Sequence, residues 1–266
     1  MEQTQHKARV QAQFAAAAEQ YVTSATHAAG DDLEQLVAWA EGGPDRTALD
    51  VATGGGHTAL ALSPYFGRVV ASDLTEPMLR SAEDFVRGQG VGNVEFRRAD
   101  AEDLPFPDAS FDLVSCRIAP HHFADVGRFV AEVARVLQPG GCFLLEDSIA
   151  PDDEAAAALL NRAEALRDST HVRSLRAPEW RQVLADAGLT VEAERTFRKP
   201  HPFASWLDRA KTPVGARAAI EALFRDAPAP ARAALAVAVD SAGQVISYTD
   251  EKILLKARKP DPVGGR

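Results

Sequence analysis

Thr47-Ala48-Leu49-Asp50-Val51-Ala52-Thr53-Gly54-Gly55-Gly56-His57-Thr58-Ala59-Leu60 is an apolar run, three consecutive glycines and then the opening of a helix. Ala48 to Ala52 reads as a short buried strand. Glycine suits a sharp passage from strand to helix, because it tolerates positive φ and lets another group approach the backbone. The helix opening at Thr58 to Leu62 would aim unpaired N–H groups and a partial positive charge at whatever lies above the strand. The stretch predicts a nucleotide-type cofactor site.

Working toward the C-terminus, Arg68 to Leu74 is an apolar strand ending in Asp73, about twenty residues beyond Gly54, where an acid in a mononucleotide fold accepts from ribose hydroxyls. A competing use for Asp73 is to cap the helix Glu76 to Gly88, which has Pro77 at its start. Asn93 to Asp100 alternates as a strand and again ends in an acid, suited to an adenine amino group; turn chemistry is the alternative. Phe111 to Arg117 is a fourth strand, followed by the loop Ile118-Ala119-Pro120-His121-His122-Phe123. A helix from about Val126 to Leu137, the turn Gln138-Pro139-Gly140-Gly141 and a strand from Cys142 to Asp147 complete the alternation. Strand, helix, strand, helix predicts an α/β doubly wound sheet with right-handed crossovers, whose ligands sit outside the carboxyl ends of the strands. That places His121 and His122 where chemistry happens.

Residues 1–45 precede the core and carry two helical patterns, Val10 to Val22 and Asp32 to Ala40, which read as an N-terminal helical cap. After Pro151 come two further helices and a strand-like run, Leu189 to Phe197. The region 199–240, broken by five prolines, reads as a helical insertion or substrate lid before the last two strands. Gln244 to Tyr248 and Lys252 to Ala257 read as a closing β-hairpin around Thr249-Asp250, within 241–259. The core is then 46–198, and 260–266 reads as a disordered tail.

Composition bounds the partners. A chain of 266 residues, 46% hydrophobic and 25% charged, has ample core. The net charge of −9 argues against a nucleic-acid backbone as the main partner. No apolar run approaches the roughly 18 residues of a membrane span and the first residues lack a signal pattern, so the expected location is cytoplasmic. Cys116 and Cys142 sit in apolar runs and read as buried thiols, without a zinc pattern. The oligomeric state stays open.

The glycine stretch leaves two cofactors open. Gly54-x-Gly56-x-x-Ala59 with Asp73 satisfies a dinucleotide fingerprint, whereas no Gly-Lys-Ser/Thr follows for a phosphate loop. In the wider chain, Leu49 to Gly56, Asp73 with Met78, Asp100 to Phe106, Phe111 to Val114 and Arg135 to Gly141 occur in that order. By these, the sequence resembles class I S-adenosylmethionine (SAM) dependent methyltransferases, and within them the group around ubiquinone/menaquinone-biosynthesis C-methyltransferases. The family commonly has glycine where Ala52 stands.

The resemblance implies a Rossmann-like, doubly wound seven-stranded, mostly parallel sheet with a reversed final hairpin, SAM as cofactor, S-adenosylhomocysteine (SAH) as product and no metal. Asp50 would orient the methionine end, with Ala52, Thr53, Gly54 and Gly56 passing beneath it. Asp73 would hold the ribose, Leu74 and Met78 would pack on adenine, and Asp100 and Ala101 would meet the adenine edge with Arg117 nearby. The acceptor would be a small molecule methylated on carbon or oxygen. His121 or His122 would serve where the acceptor must lose a proton, with Tyr21 and His27 on the cap as further candidates. An NAD(P)-dependent oxidoreductase and a non-catalytic SAM- or nucleotide-binding regulatory module are the competing functions.

Overall fold

The computed structural model describes residues 2–22 and 30–262. The apolar segments found above become the strands β1 (Gly43–Val51), β2 (Phe66–Asp73), β3 (Val94–Arg98), β4 (Phe111–Arg117) and β5 (Leu137–Ile149), followed by β6 (Thr190–Pro202), a two-residue β7 (Ala238–Val239) and β8 (Val245–Arg258). The sheet runs β3-β2-β1-β4-β5-β8-β6, with β7 hydrogen-bonded to β8 off that path. The first five strands are parallel, and β8 enters antiparallel between β5 and β6. The order reverses at β1, which has β2 on one side and β4 on the other, so the glycine turn after β1 sits at the switch point where open α/β sheets bind ligands.

Strands buried on both faces need apolar residues at every position. Ala48, Leu49 and Val51 meet that demand at 1% exposure or less. One core lies under α6 (Val126–Val136), which turns Phe129, Val130, Val133 and Val136 inward and is capped by Asp125, whose carboxylate accepts from the Arg128 N–H. The other lies under α3 (Asp31–Trp39), α4 (His57–Leu62) and α5 (Glu76–Gly88). A third cluster joins α7 (Glu154–Arg167) to the helices after β6, α9 (Phe203–Arg209), α10 (Val214–Asp226) and α11 (Ala229–Ala234). The N-terminal helices α1 (Glu2–Ala15) and α2 (Ala18–Val22) lie against α5; α8 (Ala177–Asp186) precedes β6. No helix among the described residues is long and apolar enough to cross a membrane.

Two expectations are corrected. Residues 244–257 do not form a hairpin: Val245–Arg258 is one uninterrupted strand, and its antiparallel partner is Thr190–Pro202. Thr249-Asp250 has turn chemistry, but Thr249 pairs with Pro200 and Asp250 with Lys199 in the ladder. The insertion also begins at Phe203 rather than 199, because β6 extends through Pro200 and Pro202. Proline is tolerated there since β6 is an edge strand, where a missing donor can face the open side. At the other end, Lys259 is held by the core: its backbone N–H donates to Gly141 O and its ammonium to Leu137 O.

Candidate active site

The crest of β1, β2 and β4 and the segment after β3 form one wall of a cavity bordered on the far side by α1 and α2. Asp50, Ala52, Thr53, Gly54, Asp73, Leu74, Met78, Asp100, Ala101 and Arg117 all line it. Gly56 does not; it holds φ +82°, and a Cβ there would stand 3.1 Å from Val86 and 3.2 Å from Ala82 of α5. Its task is packing. Gly54 (φ +54°) faces the cavity, with only Tyr21 Cδ1 within 4 Å of a Cβ, at 3.9 Å. Ala52 also adopts a left-handed φ of +54°. That is the physical reason a glycine is common at this place, since a Cβ costs about 1 kcal/mol there.

Asp73 closes the turn. Its Oδ2 accepts from the Gly54 N–H at 3.2 Å and its Oδ1 from the Thr75 N–H at 2.8 Å. The cap residue of α5 is Thr75, so Asp73 serves the entry to that helix and the glycine turn together. Asp50 lies deeper, accepting from Thr53 Oγ1 at 2.6 Å and Ser115 Oγ at 2.7 Å. Burial pushes both carboxyls up to about 6, partly offset by these hydrogen bonds. Each is a carboxylate kept charged at neutral pH at some cost, which a bound donor would relieve.

Asp100 stands after β3 and is engaged by the cap: Lys7 Nζ lies 2.6 Å from it and 2.8 Å from Glu102. Arg117 is not on that side. It lines the same cavity from the end of β4, with β2 and β1 between it and β3. Its guanidinium bonds Glu146 at 2.7 Å and Asp32 at 3.1 Å, and Lys252 bridges the same two acids. Its charge is felt by Asp50. The cap is fastened at Gln11, which donates to Leu74 O, and at Tyr21, whose carbonyl meets His57 Nε2 at 3.1 Å. His57 also stacks edge-on against Phe85. A Cβ at Gly55 would lie 2.7 Å from the Tyr21 carbonyl oxygen, so the middle glycine is required by the cap.

Phe14, Tyr21, Ile118 and His122 line this cavity and also a second, wider one. Ile118 there holds φ +56°, a conformation β-branched residues avoid. His121 faces only the second cavity. Its Nδ1 lies 2.6 Å from Asp147 Oδ1, and Asp147 is fully buried with Oδ2 unbonded. Burial opposes the His121 imidazolium, but the charge and hydrogen bond of Asp147 together with the charges of Glu164 and Asp168 outweigh it and the pKa is raised. His122 is the reverse case: burial, then its neighbour His121, hold it well below the ordinary value, with Nδ1 at 3.1 Å from Thr170 O. Tyr21 is pushed up to about 12 by burial, so its phenol stays protonated. His27 lies outside the described residues.

Several groups at the site escaped the sequence reading. Asp147, two residues before β5 itself ends, closes the apolar run from Cys142 as Asp73 closes the run from Arg68, so the rule that singled out acids at strand ends would have found it. Lys7, His57, Asp32, Glu146 and Lys252 carried no local signal; each is defined by a partner distant in the chain.

Comparison with known proteins gives the family and the fold. A methyltransferase-domain family profile matches residues 49–145. The uncharacterized methyltransferase YcgJ of Bacillus subtilis is 37% identical over 246 residues, spanning 92% of this chain and 97% of its own. Its crystal structure superposes with a TM-score of 0.84 over 87% of this chain and 99% of that one. The ubiquinone/menaquinone biosynthesis C-methyltransferase UbiE of a Marinomonas species is 36% identical, but only over 110 residues, 40% of this chain and 44% of its own.

Proposed function

The chain belongs to the SAM-dependent methyltransferase family, and from that premise we propose that it transfers a methyl group to a carbon or oxygen atom of a small-molecule acceptor. The observation that supports this is the shared wall: Phe14, Tyr21, Ile118 and His122 border both cavities, which would let a cofactor site and an acceptor chamber meet at one place.

The residues present fit the cofactor. The first cavity is open above Gly54, has carboxylates at Asp50 and Asp73, and has an apolar flank at Leu74 and Met78. Asp73 would accept from the ribose hydroxyls, Leu74 and Met78 would pack on adenine, and Asp100 with Ala101 would meet its edge. Asp50, Ala52, Thr53 and Gly54 would lie beneath the methionine end, with Arg117 on that side. Bound there, SAM supplies a methyl group already activated on a sulfonium. The chain's own contribution is then mainly alignment, for which proximity and orientation can supply roughly 7–11 kcal/mol.

For an acceptor that loses a proton, His121 is the better placed of the two histidines. A carboxylate on Nδ1 fixes the proton there and leaves Nε2 as the acceptor. His122, kept neutral between the cavities, shapes their junction. Titration calorimetry with SAM, SAH and NAD tests the cofactor: both SAM species should bind, and binding of NAD alone would sink the reading. Methyl transfer from labelled SAM in an acceptor screen separates an enzyme from a regulatory binding module.

A further inference from the structure

The second cavity has an unusual charge balance for a chain of net charge −9. Arg167 and Lys252 also line it, but both are neutralised, Arg167 by Glu164 at 2.8 Å and Lys252 by Asp32 and Glu146 at 3.1 and 3.0 Å. Lys199, Arg209 and Lys211 are not. None has a carboxylate within ion-pair distance among the described residues; Arg209 makes only a 3.2 Å contact to His201 Nδ1. Lys199 is half-buried on β6, and burial followed by the charge of Lys252 depresses its pKa. A half-buried cation with no carboxylate in ion-pair contact, and only the more distant Asp32 and Asp250 opposing the shift, costs free energy that an incoming anion would return.

A further observation points the same way. Lys211 follows α9 in the left-handed region, φ +51°, where Lys211 N–H bonds Asp208 O and Thr212 N–H bonds Leu207 O. This helix ending normally takes glycine, so lysine carries a backbone cost there. In the same cavity the buried His201 Nε2 and Asp250 Oδ1 pair with each other at 2.9 Å while His201 Nδ1 faces Arg209, so the Asp250 carboxylate is already engaged.

We propose that the chamber takes an acceptor carrying an anionic oxygen group, a carboxylate or a phosphate, seated on Lys199, Arg209 and Lys211. The rest of the acceptor runs toward His121 and His122, past the aromatic surfaces of Phe14, Tyr21 and Trp206. The assignment rests on the methyltransferase reading of the adjoining cavity, because that reading makes this chamber the acceptor's.

Calorimetry on the full chain with benzoate, phenyl phosphate and the uncharged benzyl alcohol tests it, with SAH titrated separately. At least one of the two anions should bind about tenfold more tightly than benzyl alcohol, and the tighter of the two names the group. The K199Q/R209Q variant should lose that preference while keeping its SAH affinity, which also reports that it is folded. Equal binding of the alcohol, no binding of either anion, or a preference that survives the double substitution overturns the proposal. Failure of SAH to bind would strike the cofactor reading instead, and the anion preference is read independently of it.

Discussion

Asp73 was the residue most legible in the sequence, because its spacing from the glycines is set by one strand–helix–strand unit. The two uses weighed for it, ribose acceptor and helix start, turn out to be compatible: each oxygen takes one backbone N–H and retains a further lone pair. Asp73→Ala should weaken SAM binding by about 1–3 kcal/mol, the cost of unmade hydrogen bonds; unchanged affinity by calorimetry would refute the assignment. The pKa near 6 gives a sign as well. A carboxyl raised on folding favours the folded chain most below its unfolded value and loses that contribution as pH rises through about 6. The ligand-free protein should therefore lose this stabilisation between about pH 4 and 6, whereas SAM affinity, which needs the charged acceptor, should climb over the same window. A flat affinity profile from pH 5 to 7 would contradict this. His121 is different, since its partner Asp147 is 26 residues away and no local pattern joins them. If His121 is the base, kcat/KM should rise with pH through an imidazole pKa above the ordinary 6.5. Asp147→Asn should move that limb to lower pH, and an unmoved limb would leave Asp147 without a positioning role.

At the scale of elements, the parallel strands and their helices were legible because burial on both faces forces continuous apolar runs and sharp glycine turns. What was not legible was pairing between segments far apart. β8 was read as a hairpin because Thr249-Asp250 looks like a turn, and only the partner strand β6, some fifty residues earlier, makes it continuous. The cap illustrates the same limit: one helix over Val10 to Val22 was expected where the chain forms α1 and α2, and their fastening to Gly55, His57 and Asp100 was not expected. Gly55→Ala would drive a Cβ to within 2.7 Å of the Tyr21 carbonyl. Because backbone faces backbone there, the cap must shift, at a cost of roughly 1–3 kcal/mol. Hydrogen exchange of residues 10–22 should speed up in this variant and SAM should protect that segment less than in the parent chain. Identical exchange in the two proteins would mean that the cap does not depend on this contact.

For the whole molecule, the decisive element is again β8, since a single strand serves all three apolar clusters. Ile253, Leu255 and Ala257 lie in the core under α6, Leu254 lies in the core across the sheet, and Val245 with Tyr248 pack among the helices after β6. Those helices thus do not close their cluster by themselves, because Val245 and Tyr248 of the strand that completes the sheet are part of it. The chain should unfold in one transition, with Trp206 in the added helices and Trp180 in the main core reporting the same midpoint. Single-tryptophan variants followed by fluorescence would show this, and two separated midpoints would mark an independent lid. The same coupling makes thermal stability a readout of the cofactor site. SAH at about a hundred times its Kd should add about 2.7 kcal/mol, or roughly 5–11 °C for a protein of this size. It should shift both tryptophan signals together, although Trp206 lines only the second cavity and Trp180 neither. A shift confined to Trp180 would mean that the two cavities respond as separate bodies and that the wall of Phe14, Tyr21, Ile118 and His122 does not couple them.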